Sequence, residues 1–135
     1  MTDAQWRRLE PHLPPLKPRT GRPNEDHRRI LNGILWVLRT GAPWRDLPRR
    51  YGPTGTVSSR FYRWRASGMW DRVLSALQAE ADARGGVDWD LYRERNVVER
   101  LVGRLKEYRR IATRYDKLAA SYLAFVQLAA IRMWL

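Results

Sequence analysis

The chain contains no cysteine, which excludes disulfides and thiolate metal sites. Histidine is almost as scarce. His12 and His27 are far apart and not at ligand spacing, so both are expected at the surface rather than on a metal. Met1 to Leu9 holds no apolar stretch of signal-peptide type, and with the absence of cysteine this suits the cytoplasm. A membrane span needs about 20 apolar residues. The longest candidate, 118–135, carries Arg132 inside it, so it reads as a buried core helix and no membrane partner is expected. Lysine is rare too: Lys17, Lys106 and Lys117 are three of 26 cations.

Arginine is what the chain has in excess. Lys plus Arg number 26 against 14 Asp plus Glu, a net charge of +12. The natural partner of such an excess is a polyanion, because each neutralised phosphate releases condensed counterions. Arginine grips phosphate bidentately and stacks on bases, although a GC-rich genome would also shift lysine to arginine. A hydrophobic share of 44% with seven Trp supports a core rather than a disordered tail. A length of 135 residues allows one ordinary domain or two very small ones.

Along the chain, Thr2 and Gln5 form a capping-box pattern with Trp6, Leu9 and Leu13 at helical spacing behind it. Pro11, Pro14 and Pro15 end that helix. The stretch Pro14 to Pro23 has four prolines, one glycine and three cations. It reads as an extended basic arm, either a solvated linker or a segment whose Arg19 and Arg22 lie in a narrow minor groove. From Asn24, a candidate N-cap, Ile30, Ile34, Leu35, Val37 and Leu38 make an apolar stripe that Gly41 closes. A short element between Ala42 and Pro48 follows, and Tyr51-Gly52-Pro53 breaks it.

A third helix is expected over 54–66, with Val57, Phe61 and Trp64 on one face, and a fourth over 70–83. Long helix, short helix, turn and helix is the order of a helix-turn-helix module. The third helix is then the recognition helix, and Thr54, Thr56, Ser58, Ser59, Arg60 and Arg63 are expected to face out toward DNA. The same positions also suit the solvated side of an ordinary bundle. After Gly86, Asp88 and Asp90 alternate with apolar residues as at the start of a strand, and a charged helix continues to about Tyr108. Residues 109–116 read as a basic connector, and the apolar helix 118–135 ends the chain.

In the second half, Tyr92, Arg95, Glu99 and Lys106 stand at i, i+3, i+7 and i+14 and share one helix face. An acid flanked by cations is also what a surface salt-bridge stripe gives. The spacing nevertheless resembles the C-terminal signature of the IS-four/IS-five group of bacterial insertion-sequence transposases. The runs Arg95-Asn96-Val97-Val98-Glu99-Arg100-Leu101 and Arg110-Ile111-Ala112-Thr113-Arg114-Tyr115-Asp116-Lys117-Leu118 look like the same group. So do Gly21-Arg22-Pro23, Leu31-Asn32-Gly33-Ile34-Leu35-Trp36 and Arg39-Thr40-Gly41-Ala42-Pro43-Trp44-Arg45-Asp46-Leu47-Pro48 in the front half, which resemble its N-terminal insertion-element domain.

The resemblance implies an N-terminal DNA-binding domain over 1–84 and a C-terminal piece of a ribonuclease-H-like catalytic domain over 85–135. Such enzymes cut DNA with Mg²⁺ ions held by two Asp and one Glu. By resemblance Glu99 is the third carboxylate, and Tyr92, Arg95 and Lys106 are its signature neighbours. The sheet that carries the first two Asp should lie before the signature helix, yet Asp90 and Tyr92 are separated by Leu91 alone. Several strands of about 5–6 residues do not fit there. Asp88 and Asp90 are pre-strand residues on this reading, although alternation would place both near Glu99.

The expected fold is therefore all-α: a helix-turn-helix bundle followed by two C-terminal helices without their sheet. The expected protein is a truncated transposase that binds double-stranded DNA at terminal inverted repeats without cutting it and holds no cofactor. A bare apolar C-terminal helix makes a homo-oligomer, or association with a full-length transposase, the expected assembly. The alternatives are a self-associating interaction or regulatory remnant, and a residually active transposase.

Overall fold

The computed structural model describes residues 1–16, 19–21, 25–83, 103–113 and 119–135. All regular structure among the described residues is helical, in agreement with the all-α expectation. Helix α1 (Asp3–Leu9) starts where local chemistry says it should. The Thr2 hydroxyl accepts from the Gln5 amide at 3.3 Å and the Gln5 side chain accepts from the Thr2 amide at 3.0 Å, satisfying two donors that a helix start leaves orphaned. Pro11 lies in the short 3₁₀ turn Glu10–His12 that follows.

Helix α2 (His27–Thr40) is capped by Asp26, whose carboxylate accepts from the Arg28 amide at 3.0 Å. The helix thus begins later than an Asn24 cap would set it, and Asn24 itself lies outside the described residues. Gly41 closes α2 in the left-handed region, φ 68°. Helix α3 (Thr54–Ala66) and helix α4 (Met69–Ala83) follow, separated by Gly68 at φ 69°. Helix α5 (Arg109–Thr113) occupies part of the expected basic connector, and helix α6 (Ala119–Trp134) is the apolar C-terminal segment.

One core runs through all of these helices, the short α1 adding Leu9 and the short α5 adding Ile111. Leu9, Ile30, Leu31, Ile34, Val37, Leu38, Val57, Phe61, Trp64, Trp70, Val73 and Leu77 are buried together with Ala124, Phe125, Leu128, Ala129 and Ile131 of α6. Phe125 stacks on Phe61 with ring centroids 4.4 Å apart and planes inclined by 22°. Ala124 and Ala129 let the helix approach closely. Polar contacts fix its register: Arg65 donates to the Ser121 hydroxyl at 2.6 Å, and Arg8 to the Leu135 carbonyl at 3.2 Å.

The bare helix on which the expected self-association rested is therefore covered by the chain's own bundle. Of its large apolar residues with described side chains, only Leu123 is exposed, at 56%. Among the described residues no helix is long and apolar enough to cross a membrane.

Candidate nucleic-acid interface

The 13 residues joining α2 to α3 aim α3. Two 3₁₀ turns, Trp44–Asp46 and Arg49–Tyr51, stand where the sequence suggested a short middle helix. Gly52 takes φ 105°, a region that favours glycine, and Pro53 stands at the N-cap with no side-chain hydrogen bond. Gly33 on α2 sets the spacing. A Cβ there would meet Tyr51 Cβ at 3.0 Å and Val57 Cγ1 at 3.3 Å, so its absence lets α2 close on both the turn and α3.

Helix α3 buries Val57, Phe61 and Trp64 at i, i+4 and i+7, the stripe the sequence predicts. Ser59 and Arg63, one turn apart, are exposed, while Thr54, Thr56 and Ser58 are half-buried. Ser58 turns its hydroxyl back on the Gly55 carbonyl at 3.3 Å.

Arg60 departs from the expectation. It is 6% exposed, and its guanidinium donates to His27 Nδ1 at 2.9 Å. The opposite ring nitrogen of His27 donates to the Pro14 carbonyl at 2.7 Å, so these partners select the neutral Nε2–H tautomer. Trp64 packs edge-on against His27, and the Arg60 guanidinium lies 5.6 Å from the Trp64 ring centroid. The reason is positional: Arg60 sits at i+3 from Val57, on the edge of the apolar stripe, where His27 offers an acceptor.

His27 is correspondingly buried, at 4% exposure, rather than at the surface. Burial first, and then the Arg60 charge, hold its imidazole below the ordinary value, against the opposing Pro14 hydrogen bond and Asp26 charge. His12, the other expected surface histidine, is half-buried against Glu80 at 3.2 Å.

Three cations that the sequence did not single out gather at the start of α3. Arg29 donates to the Arg50 carbonyl at 2.8 Å and reaches the Arg49 carbonyl at 3.4 Å. With Gly52, Pro53 and Thr54, Arg29 and Arg49 line a notch of about 380 Å³. Arg50 lies over the Tyr51 ring at 4.8 Å. Among the described residues no carboxylate pairs with Arg29, Arg49, Arg50 or Arg63; the ion pairs that form are Arg8 and His12 with Glu80, and Arg28 with Asp3. The paired arginines at 28–29 and at 49–50 were the available sequence signal, but 20 residues separate them and only the fold brings them together.

Arg19 is exposed and Lys106 is exposed. Arg22, Asp88, Asp90, Tyr92, Arg95 and Glu99 lie outside the described residues. Among the described residues no group of three His, Cys, Asp or Glu could hold a metal ion. Glu99, the carboxylate that the resemblance would give to Mg²⁺, is not among them.

Residues 1–74 match the family model described as "Putative transposase of IS4/5 family", and residues 87–135 match that of the transposase DDE domain. The chain is 38% identical over 82 residues to the uncharacterized protein y4sN of Sinorhizobium fredii, covering 61% of this chain and 66% of that one. It is 42% identical over 93 residues to an uncharacterized 16.2 kDa protein of insertion element IS402 from Burkholderia cepacia, covering 64% and 63%. A protein named for insertion sequence element IS6501 of Brucella ovis is 45% identical over 49 residues, 36% and 38% of the two chains. The chain thus spans less than two thirds of the length of each of these curated relatives. No solved structure matches it. With one family model covering more than half of its length, the chain belongs to the IS4/5 family of insertion-sequence transposases.

Proposed function

We propose that this chain binds double-stranded DNA at the terminal inverted repeats of an insertion element, through a helix-turn-helix module, and does not itself cut the strands. The observation that carries the reading is the unpaired basic surface around α3. Arg29, Arg49 and Arg50 stand at its start, and Ser59 and Arg63 stand on its exposed face. Backbone-directed cations at the start of a helix position a duplex, and exposed side chains further along read base edges. Arg19 extends the same basic character into the arm, where Arg22 would join it. The names of the relatives from IS402 and IS6501 agree with a role on insertion-element DNA.

What supports the absence of catalysis is the spacing of the second half of the sequence. By resemblance Glu99, with its neighbours Tyr92, Arg95 and Lys106, would be the last part of a three-carboxylate site, and the segment expected to carry the first two Asp does not fit between Asp90 and Tyr92. Residues 1–84 then form the binding domain and 85–135 the remainder of the catalytic domain, and the chain competes with or joins a full-length transposase at the repeats.

A gel-shift series on repeat-bearing and scrambled duplexes tests this. Affinity should fall by about 10³-fold between about 50 and 200 mM salt if about six phosphates are engaged. The repeat duplex should win at every salt concentration. Equal affinity for both duplexes, or a flat salt response, removes the binding proposal. Strand cleavage in Mg²⁺ or Mn²⁺ that Glu99→Ala abolishes removes the non-catalytic one.

A further inference from the structure

A second face of α2 lines a cavity of about 380 Å³ that shares no residue with α3. Asn32, Leu35, Trp36 and Arg39 stand at i, i+3, i+4 and i+7 on α2 and so fall on one side. Tyr51 closes it from the turn before α3, Tyr108 from the residue before α5, and Arg132 from α6. Met1 completes the wall, its ammonium donating to Asn32 Oδ1 at 3.3 Å.

The lining has two chemical parts. Trp36, Tyr51 and Tyr108 are half-buried aromatic surfaces. Among the described residues, Arg39 and Arg132 are cations with no hydrogen-bond or ion-pair partner, and no carboxylate lines the cavity. The positive charges crowd one another. Burial first, then Arg132, Arg28 and Arg39, hold the Met1 ammonium below its ordinary value. Burial also raises Tyr108, so its hydroxyl stays protonated and can donate.

Each part asks for a different half of one ligand. Two guanidiniums present planar forks that match a phosphate, and aromatic faces and an amide suit a planar, hydrogen-bonding base. A bare phosphate would leave the aromatic walls uncovered, and an uncharged ring would leave both guanidiniums without a counter-charge. The volume falls at the small end of ligand pockets, about 300–1,000 Å³, which admits one nucleotide and excludes a duplex. We infer that this cavity binds a nucleoside monophosphate unit, free or at the end of a nucleic-acid strand, with its phosphate on Arg39 and Arg132 and its base among Trp36, Tyr51 and Tyr108.

Calorimetric titration of the untagged full chain tests this with dAMP, deoxyadenosine, inorganic phosphate and a 5′-phosphorylated single-stranded oligonucleotide. dAMP should saturate, with deoxyadenosine and phosphate each at least about tenfold weaker. Arg39→Gln and Arg132→Gln should each weaken dAMP by about tenfold at an unchanged melting temperature. Arg39 is exposed, so its variant keeps the test open if Arg132→Gln perturbs α6. Arg63→Gln, on the duplex-binding surface, should leave dAMP unaffected even where it weakens duplex binding, which separates failure here from failure of the DNA reading. An oligonucleotide tighter than dAMP identifies a strand end as the source of the ligand, and an equal or weaker one identifies the free nucleotide; both support the site. No saturation by about 10 mM dAMP, phosphate as tight as dAMP, or indifference to both cavity variants overturns it.

Discussion

Truncating Phe125 to alanine removes the largest of the fully buried side chains by which α6 packs on the rest of the molecule. Phe125 is 1% exposed. Its ring stacks on Phe61 at 4.4 Å, lies 6.2 Å from Trp44 and carries the Arg110 guanidinium at 4.9 Å. An aromatic side chain buries about 150–250 Å², which at about 25 cal/mol per Å² is about 4–6 kcal/mol of transfer free energy. Measured Phe→Ala losses in cores run to about 3–5 kcal/mol, so a fall of about 4 kcal/mol is expected. Against a total stability of about 5–15 kcal/mol for a domain, this leaves the variant partly unfolded near physiological temperature.

Urea denaturation followed by Trp fluorescence measures it. The wild type should unfold in one transition, because α6 shares the core of α2, α3 and α4, and the variant midpoint should drop sharply. A loss below about 1 kcal/mol with unchanged m, or a wild type that unfolds in two steps, would show that α6 is not part of that core. Removal of 118–135 should likewise destabilise the bundle rather than improve its solubility, with the intact chain a monomer in light scattering.

Arg60 and Arg63 should separate cleanly. Arg60→Met leaves His27 Nδ1 unsatisfied in the interior, at a cost of about 1–3 kcal/mol of stability, whereas Arg63→Ala should change stability by less than about 0.5 kcal/mol while weakening DNA binding. Equal stability losses in the two would contradict the inward placement of Arg60. Stability should also depend on pH through His27, whose folded value is lowered. The unfolded chain binds more protons below its ordinary value of about 6.5, so this contribution is complete above that pH and is lost as the pH falls toward the folded value. Thermal melts between about pH 8 and 5 should show a decline that His27→Gln flattens; parallel profiles would refute the assignment.

Much of the chain's local structure could be read in advance because its signals are local. The Thr2–Gln5 box, Gly41, Gly52-Pro53 and Gly68 act within a few residues of themselves, and they mark the ends of α1, α2 and α3. The α3 stripe of Val57, Phe61 and Trp64 needs only the helical period, and the charge balance needs only counting. The family resemblance was legible as well, because its motifs are runs of consecutive residues.

Side-chain direction at the edges of those stripes was not legible. Arg60 looked like a surface cation because nothing near it in the chain could hold a guanidinium; the acceptor is His27, 33 residues earlier. Arg29 could not be placed beside Arg49 and Arg50 without the close approach that Gly33 permits. The apolar circumference of α6 announced burial but not against what. An apolar face is non-directional and accepts any apolar surface of suitable shape, so its periodicity cannot name the partner. Only the packed molecule, with Phe61 open to receive Phe125, decided that the chain covers α6 with itself.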